Sequence, residues 1–542
     1  MSTFSAGHDE RFVASVDGVA PVRERRWLCG ALVGAVAGLA ASGAMLWAGD
    51  AWGGVILAQL LSDRMTGIIP TSLFGQALGE LESNAKPLTL AGLTFAQVMG
   101  GAIIGAGYAR FGGHRGKRRL ADGVVLSAAI WALLALVAAP LGEVGLLALD
   151  APGDVWRTQA TFVLAAVVFG VLVAAFVPWP TSRQEDAVAP DSQRRRLIQV
   201  AGLGALALPA LWSAGYVGRE VQQLRSKGVS PEPLARTVAG DGPFAFAGMP
   251  QEITPTDEFY VVSKNFQDPT VDSSSWTLEV GGMVDTPLTL SYSDLLARDS
   301  VEFISTLECI SNSVGGKYIS TATWAGFPLV ELLREAGLHD GIVDIELHAA
   351  DGYVESIPLA EGLAEDTMVV HSMNGEPLND EHGAPARLIV PGIFGMKNVK
   401  WLTKVVAVNE DIQGFWQERG WSDPAPVVTM SKISTPRAGQ DIPIGRPFKA
   451  GGVAFAGDRG IQRVEVSFDG GVTWSDAQLS DPLSPLAWRL WSIEHTPAEL
   501  GEFWITVRAT DGTGAVQTAE ERPTLPDGAT GHHDIRVTIR AA

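Results

Sequence analysis

The chain has 542 residues, enough for three or four domains, and its mean hydropathy of +0.17 is high for a soluble enzyme. The excess is local: residues 1–217 hold nearly all the long apolar runs and carry 16 Lys+Arg against 15 Asp+Glu, whereas 218–542 carry 24 against 45. So acidic a second half excludes nucleic-acid binding, which needs a basic footprint, and suits either a solvated surface or a docking face for a basic partner.

Five stretches of the first half, at about 28–49, 92–110, 121–140, 158–178 and 197–217, approach the ~20 apolar residues that a membrane-crossing helix needs. Arg23, Arg25 and Arg26 precede the first stretch. Arg110, Arg115, Lys117, Arg118 and Arg119 follow the second, and Arg183 with Arg194–Arg196 follows the fourth. The opposite loops hold only Arg64, Lys86 and Arg157. The positive-inside rule therefore predicts a cytoplasmic N-terminus and, after five crossings of the cell membrane, an extracytoplasmic position for residue 218 onward. The segment 51–80, with Asp63, Arg64 and Glu80, reads as interfacial or re-entrant. Arg194-Arg195-Arg196-Leu197-Ile198 reads either as a twin-arginine export signal or as ordinary anchoring arginines. None of the nine histidines falls in an apolar run, which argues against haem within the membrane.

Residues 218–245 are polar and broken by Gly and Pro, a linker. From 246 to 425 strand-like runs alternate with brief helices, an α+β pattern. Trp276–Val280 alternates as a strand, Ser293–Ala297 reads as a short Ser-capped helix, and Leu329–Ala336 as an amphipathic helix ended by Gly337. Further strands are expected at 342–349, 352–357, 367–371 and 386–390. Beyond 426 only strands and turns remain, as in Val464–Phe468 before the hairpin signal Asp469-Gly470-Gly471, and an all-β sandwich is expected.

Two cysteines occur, Cys29 in the first apolar run and Cys309 in the acidic half, so they cannot pair. Cys309 is either an inert buried residue or a ligand. It ends a β-prone run, where a side chain projects from a rigid strand, and a thiolate suits a redox metal. The segment Phe303–Asn312, followed by Trp324-Ala325-Gly326-Phe327-Pro328, resembles the sulfite oxidase family of molybdenum enzymes. The resemblance continues through Asp351–Leu359, Met373–Leu378, Glu381–Leu388, Val390-Pro391-Gly392 and Met396–Trp401, and into the second domain at Val466–Trp474 and Ala487–Trp491. It covers about 246–542 and leaves the helical half outside.

The resemblance implies a molybdenum–molybdopterin cofactor with Cys309 as the protein's sulfur ligand. It places His382, Arg387 and the stretch Asn398, Val399, Lys400 at the pterin and its phosphate, Lys264 and Asn265 on a strand facing cofactor or substrate, and Tyr353 near the metal's open position. It also implies an immunoglobulin-like dimerisation domain at 426–542 and hence a possible homodimer. The sequence departs from the sulfite-oxidising pattern after Asn312, where Ser313-Val314-Gly315-Gly316 replace basic residues, and at Ser263-Lys264-Asn265. Those departures leave a less charged oxo acceptor, such as a sulfoxide, as open as a sulfur oxyanion. No Cys-x-x-Cys-His is present, so electrons are expected to pass through a separate partner, a cytochrome or quinone-linked protein. The rival expectation is a membrane-anchored binding protein whose oxidoreductase domain is degenerate and metal-free.

Overall fold

The computed structural model describes residues 22–52, 55–57, 85–111, 119–142, 144–149, 155–177, 213–215, 217, 242–265 and 268–541. The chain forms two compact units, one of residues 1–60 and 90–219 and one of 61–89 and 220–542. The fifth apolar stretch (but for a few residues), most of segment 51–80, the Arg194–Arg196 run and most of the 218–245 linker lie outside the described residues.

In the first unit α1 (Val22–Trp52), α2 (Ala85–Phe111), α3 (Arg119–Leu133) and α4 (Val155–Phe176) contain the first four expected stretches. All four are long and apolar enough to cross a membrane, α3 through its continuation to Leu141. That continuation is a π-turn over Leu134–Ala138, a widening of the helical ladder just before Pro140, which supplies no N–H to it. Glycines decide how α1 meets α2: a β-carbon on Gly34 would run into the carbonyl of Gly101, and one on Gly105 into the carbonyl of Gly30. Small residues let two backbones touch where lipid offers no hydrophobic drive for helices to associate. Large side chains such as Phe95, Ile103, Val124 and Trp156 stay exposed, as expected of a surface that meets hydrocarbon.

The second unit begins with β1 (Thr277–Gly282) and β2 (Leu288–Ser291). The helix α5 follows at Tyr292–Leu296, capped by Ser291 rather than by a serine at 293. Asp294 decides the cap, because its carboxylate accepts the Ser291 N–H and completes a capping box. Then come β3 (Val301–Glu308), β4 (Ile319–Pro328) and α6 (Leu329–Ala336). Leu329, Val330, Leu332, Leu333 and Ala336 of α6 are buried, and Gly337 ends it at φ 74°. Burying each large apolar side chain contributes about 1.5–3 kcal/mol.

Next are β5 (Asp344–Ala349), β6 (Val354–Pro358), β7 (Met368–Met373), β8 (Glu376–Pro377), β9 (Arg387–Ile389) and β10 (Leu402–Val408). They form two sheets, β2-β1-β10-β5-β6 and β3-β4-β7-β8, with β9 beside β7. The first is antiparallel except for the β1–β10 pair.

From β11 (Met430–Thr435) onward the chain is β-rich. β12 (Asp441–Pro443), β13 (Phe448–Phe455), β14 (Ile461–Ser467), β15 (Ser475–Asp476), β16 (Gln478–Leu479), β17 (Arg489–His495), β18 (Gly501–Asp511) and β19 (His533–Arg540) complete it. Two sheets result, β11-β13-β17-β16 and β12-β19-β18-β14-β15, and they share a core containing Ala454, Val466, Trp491, Val507 and Val537. The expected turn is present: Asp469 accepts from the N–H of Val472 and of Thr473, and Gly470 and Gly471 take positive φ.

This β-rich region also braces the strand that leads to Cys309. β3 is an edge strand, and an open edge is a liability. Here Thr306 N–H donates to Leu486 O at 3.0 Å, Ser484 Oγ to Ile304 O at 2.6 Å and Trp488 N–H to Thr306 Oγ1 at 2.9 Å.

Candidate functional site

Cys309 directly follows β3, where the chain leaves the sheet. Its N–H donates to Tyr318 O at 3.0 Å, its carbonyl accepts from Asn312 N–H at 2.9 Å, and Sγ lies 3.0 Å from Ser311 Oγ. Asn312 holds this turn, donating through Nδ2 to Glu308 Oε1 and accepting the Tyr318 N–H at Oδ1. The thiol is buried, and burial pushes its pKa up. Thiolate forms in such a place only when a cation or metal compensates for the lost water.

Two phenols share this surrounding. Tyr260 is buried, whereas Tyr353 is half-buried, with its hydroxyl bonded to Glu355 Oε2 and Met396 O. Burial raises both pKa values well above the ordinary range, with Glu355 adding to the effect at Tyr353, and Tyr260 packs in the same buried cluster as Cys309. A β-carbon on Gly395 would stand 2.6 Å from Tyr260 Oη, and the adjacent Met396 carbonyl lies 2.9 Å from Tyr353 Oη. The segment 394–397 therefore passes both hydroxyls, and only glycine at 395 leaves room for the first.

Arg387 and His382 line one wall, and Arg387 supplies its positive charge. The buried Arg387 guanidinium donates to the carbonyls of His382 and Asn398, each at 3.2 Å, and stands 5.1 Å from the Trp324 ring centre. Its Nε has no partner, and it makes no ion pair among the described residues. Burial lowers its pKa to about 10. A buried cation left uncompensated by the protein is costly unless an anion joins it. His382 Nε2 lies 2.9 Å from Thr256 O, which can only accept, so the proton sits on Nε2. Burial lowers this imidazole to about 4, so it is neutral near pH 7.

The other residues singled out from the sequence divide into two groups. Lys264 donates to Asp351 O at 3.1 Å and Asn265 to Asp351 Oδ2 at 2.6 Å, while Asp351 Oδ1 accepts the Tyr353 N–H. They thus join Tyr353. Asn398 uses Oδ1 to accept the Val390 N–H and Nδ2 to reach Phe394 O, which folds its own loop. Val399 is buried in the apolar core, its carbonyl accepting from Leu388. Lys400 donates to Glu381 O at 3.0 Å and lies over the Trp401 ring.

Several residues here were not singled out in the sequence reading, although Glu355 and Lys397 lie inside the matching motifs Asp351–Leu359 and Met396–Trp401. Tyr260 stands among ordinary aromatics in a loop. Phe415 packs 5.9 Å from the Tyr353 ring, with Lys264 Nζ 5.6 Å and Arg419 Cζ 3.6 Å from its centre. Glu355 and Lys397 form a buried ion pair at 3.1 Å, and Lys397 also reaches Asp423 Oδ1 at 3.0 Å. Periodicity marks apolar faces and is silent on which charges become enclosed.

The donor set fits a molybdenum–pterin group: one soft sulfur, an uncompensated buried guanidinium for an anionic cofactor, and enclosed hydroxyls beside the sulfur. Among the described residues no cluster of three or more His, Cys, Asp or Glu is placed to hold a metal ion.

Comparison with known proteins bears directly on this site. Residues 265–416 match the oxidoreductase molybdopterin binding domain and 426–525 the Mo-co oxidoreductase dimerisation domain. Mitochondrial sulfite oxidase of Rattus norvegicus is 31% identical over 312 residues, covering 49% of this chain and 57% of that protein. Sulfite oxidase of Gallus gallus is 30% identical over 321 residues, 50% of this chain and 69% of that protein. Nitrate reductase [NAD(P)H] of Hordeum vulgare is 30% identical over 332 residues, 50% and 37% respectively. The crystal structure of the sulfane dehydrogenase SoxCD from Paracoccus pantotrophus matches with a TM-score of 0.48 at 23% identity, over 56% of this chain and 89% of that one. The chain thus spans a little over half the length of the mammalian relatives it matches. With its buried cysteine, its cationic wall and its two matched domains in order, this chain belongs to the sulfite oxidase family of molybdopterin-dependent oxidoreductases.

Proposed function

We propose that this protein catalyses two-electron oxo transfer on a small sulfur-containing substrate at a mononuclear molybdenum centre ligated by Cys309. The observation that carries the reading is the buried thiol at the end of β3, clustered with Tyr260, in a domain whose buried Arg387 makes no ion pair among the described residues. Arg387 and Lys400 hold the phosphate, and His382 Nδ1 accepts from the pterin. Lys264 and Asn265 stand with Tyr353, and Asn398 and Val399 support the loop that carries Lys400. When bound, the cofactor supplies the electron-accepting metal and the transferable oxygen. The chain's own residues bind it, exclude water and hold protons at the two phenols. Lys264 and Arg419 against Phe415 favour an anionic substrate beside Tyr353.

In this reading residues 1–217 anchor the protein in the cell membrane and 218–245 are the tether. Residues 246–425 carry the cofactor on the extracytoplasmic side, and 426–542 form an immunoglobulin-like domain through which two copies pair. Electrons leave to a separate redox protein. Four apolar helices and the arginine-rich loops support the anchoring. The test is metal analysis of the full chain purified from a host that makes molybdopterin. Stoichiometric molybdenum that disappears in Cys309→Ser is expected, with turnover of sulfite reduced more than about 100-fold, since even residues behind a metal ligand are worth 10–100-fold. A metal-free wild-type protein rejects the reading in favour of an anchored binding protein.

A further inference from the structure

Tyr353 and Glu355 stand two residues apart at the start of β6, so their side chains leave the same face of the strand. Glu355 Oε2 lies 2.9 Å from Tyr353 Oη. Its Oε1 accepts from Lys397 Nζ at 3.1 Å and from the Ser356 N–H at 3.0 Å. Lys397 Nζ continues to Ser356 O at 2.9 Å and to Asp423 Oδ1 at 3.0 Å. Glu355 and Lys397 are sealed from solvent, while the Asp423 side chain is 37% exposed. The contacts therefore run unbroken from the Tyr353 phenol to the partly exposed Asp423.

A purely structural ion pair does not account for this arrangement. Lys397 already has a carboxylate in Asp423 and a carbonyl in Ser356, and a second, fully buried carboxylate adds a desolvation cost that well-packed apolar residues would avoid. Glu355 also presses against Gly414, where any β-carbon would strike Oε1. The chain has given up a side chain to keep that carboxylate in place.

We infer that Glu355 is the proton acceptor of this site, acting through Tyr353, with Lys397 and Asp423 linking it to solvent. The inference rests on the reading that Tyr353 faces the reacting centre. Oxidation by oxo transfer draws its oxygen from water and sheds protons. In the step assigned here the Tyr353 O–H bond breaks as its proton moves to Glu355 Oε2, and the phenolic oxygen takes up a proton released by the reaction. No electron moves in this step, and the Lys397 ammonium balances the carboxylate until the proton arrives. Burial raises the Glu355 carboxyl above the ordinary range and Lys397 is the largest opposing influence. Asp351 and Cys309 also face Tyr353, Lys264 and Arg419 flank the neighbouring Phe415, and Asp344 lies near Asp423.

The experiment uses the full, cofactor-loaded chain in detergent, with sulfite and dimethyl sulfoxide as probes. Infrared titration is expected to show a protonated-carboxyl band that grows as pH falls, disappears in Glu355→Gln and shifts in Tyr353→Phe. Turnover is expected to fall about 100-fold in Glu355→Gln, to recover in part in Glu355→Asp, and to lose its acidic limb in the glutamine variant. Unchanged turnover and pH profile in a molybdenum-loaded Glu355→Gln, or a band indifferent to Tyr353→Phe, overturns the inference. Should the single variant fail to fold, Glu355→Gln/Lys397→Gln removes both charges together and is measured in the same way. Absence of molybdenum from wild type overturns the functional reading and the inference with it, whereas an indifferent Glu355→Gln in molybdenum-loaded protein overturns the inference alone.

Discussion

The two units bury polar groups in opposite ways. In the helical unit the buried polar side chains among the described residues are neutral: Ser42, Thr94, Thr158, Thr161 and Ser213. They join helices and loops, as when Thr158 Oγ1 accepts the Val55 N–H and Thr161 Oγ1 accepts from Trp52 Nε1. The other unit seals Glu308, Glu355, His382, Arg387 and Lys397 away from water. Hydroxyls satisfy themselves locally at small cost, whereas each enclosed ionisable group must be matched by a partner or a ligand. The candidate site lies in the unit that encloses charge, although Glu465 and Asp511 are enclosed outside that site.

That contrast breaks most readily at Lys397. Lys397→Met strands Glu355 without its cation and is expected to cost about 3–5 kcal/mol, measured by denaturant unfolding of the detergent-solubilised chain. A loss under about 1 kcal/mol would remove the distinction between the units.

Acid probes the same enclosure. His382 and His533 are both pushed down to about 4 by burial, while in the unfolded chain they take protons near 6.5. Because the folded values are depressed, stability is complete above about pH 6.5 and falls as the pH drops toward 4. The loss is at most about 3 kcal/mol for each histidine. Melting the protein at pH 7.5 and 5 measures this, and replacing His533 by Gln should flatten the dependence.

The helical unit should respond to size instead. Gly34→Leu forces α1 off α2 and is expected to cost about 1–3 kcal/mol, read as a lowered unfolding temperature in detergent with cofactor content unchanged. The smallest stability effect is expected at Arg387. Without cofactor, Arg387→Met should change stability by no more than about 1 kcal/mol, since an uncompensated charge departs together with two long hydrogen bonds. Molybdenum content should nevertheless drop sharply. A strongly destabilised cofactor-free variant would show that this guanidinium serves the fold.

Much of this architecture was legible in the residues. Helix α6 follows from the spacing of Leu329, Leu332, Leu333 and Ala336 and from Gly337, and the strands at 344–349, 354–358 and 368–373 follow from alternation and turns. The cap of α5 was misplaced by two residues because several serines compete there and only the reciprocal bond from Asp294 selects Ser291. Among the site residues, Cys309, Tyr353, His382 and Arg387 were accessible through motif order. The positions of Asn398 and Val399 within their own loop were not, since the same motif suits a residue that holds a loop and one that holds a ligand.

The sequence by itself determined where apolar helices end and an acidic, mixed α/β and then all-β region begins, because periodicity and composition are local properties. It also determined the order of motifs around a single thiol. Only the tertiary structure decided which charges lose their water. The Glu355–Lys397 pair joins residues 42 positions apart, Phe415 reaches Tyr353 and Tyr260 reaches Cys309 from distant loops. Desolvation depends on everything packed around a group, and that sum exists only once the chain has folded.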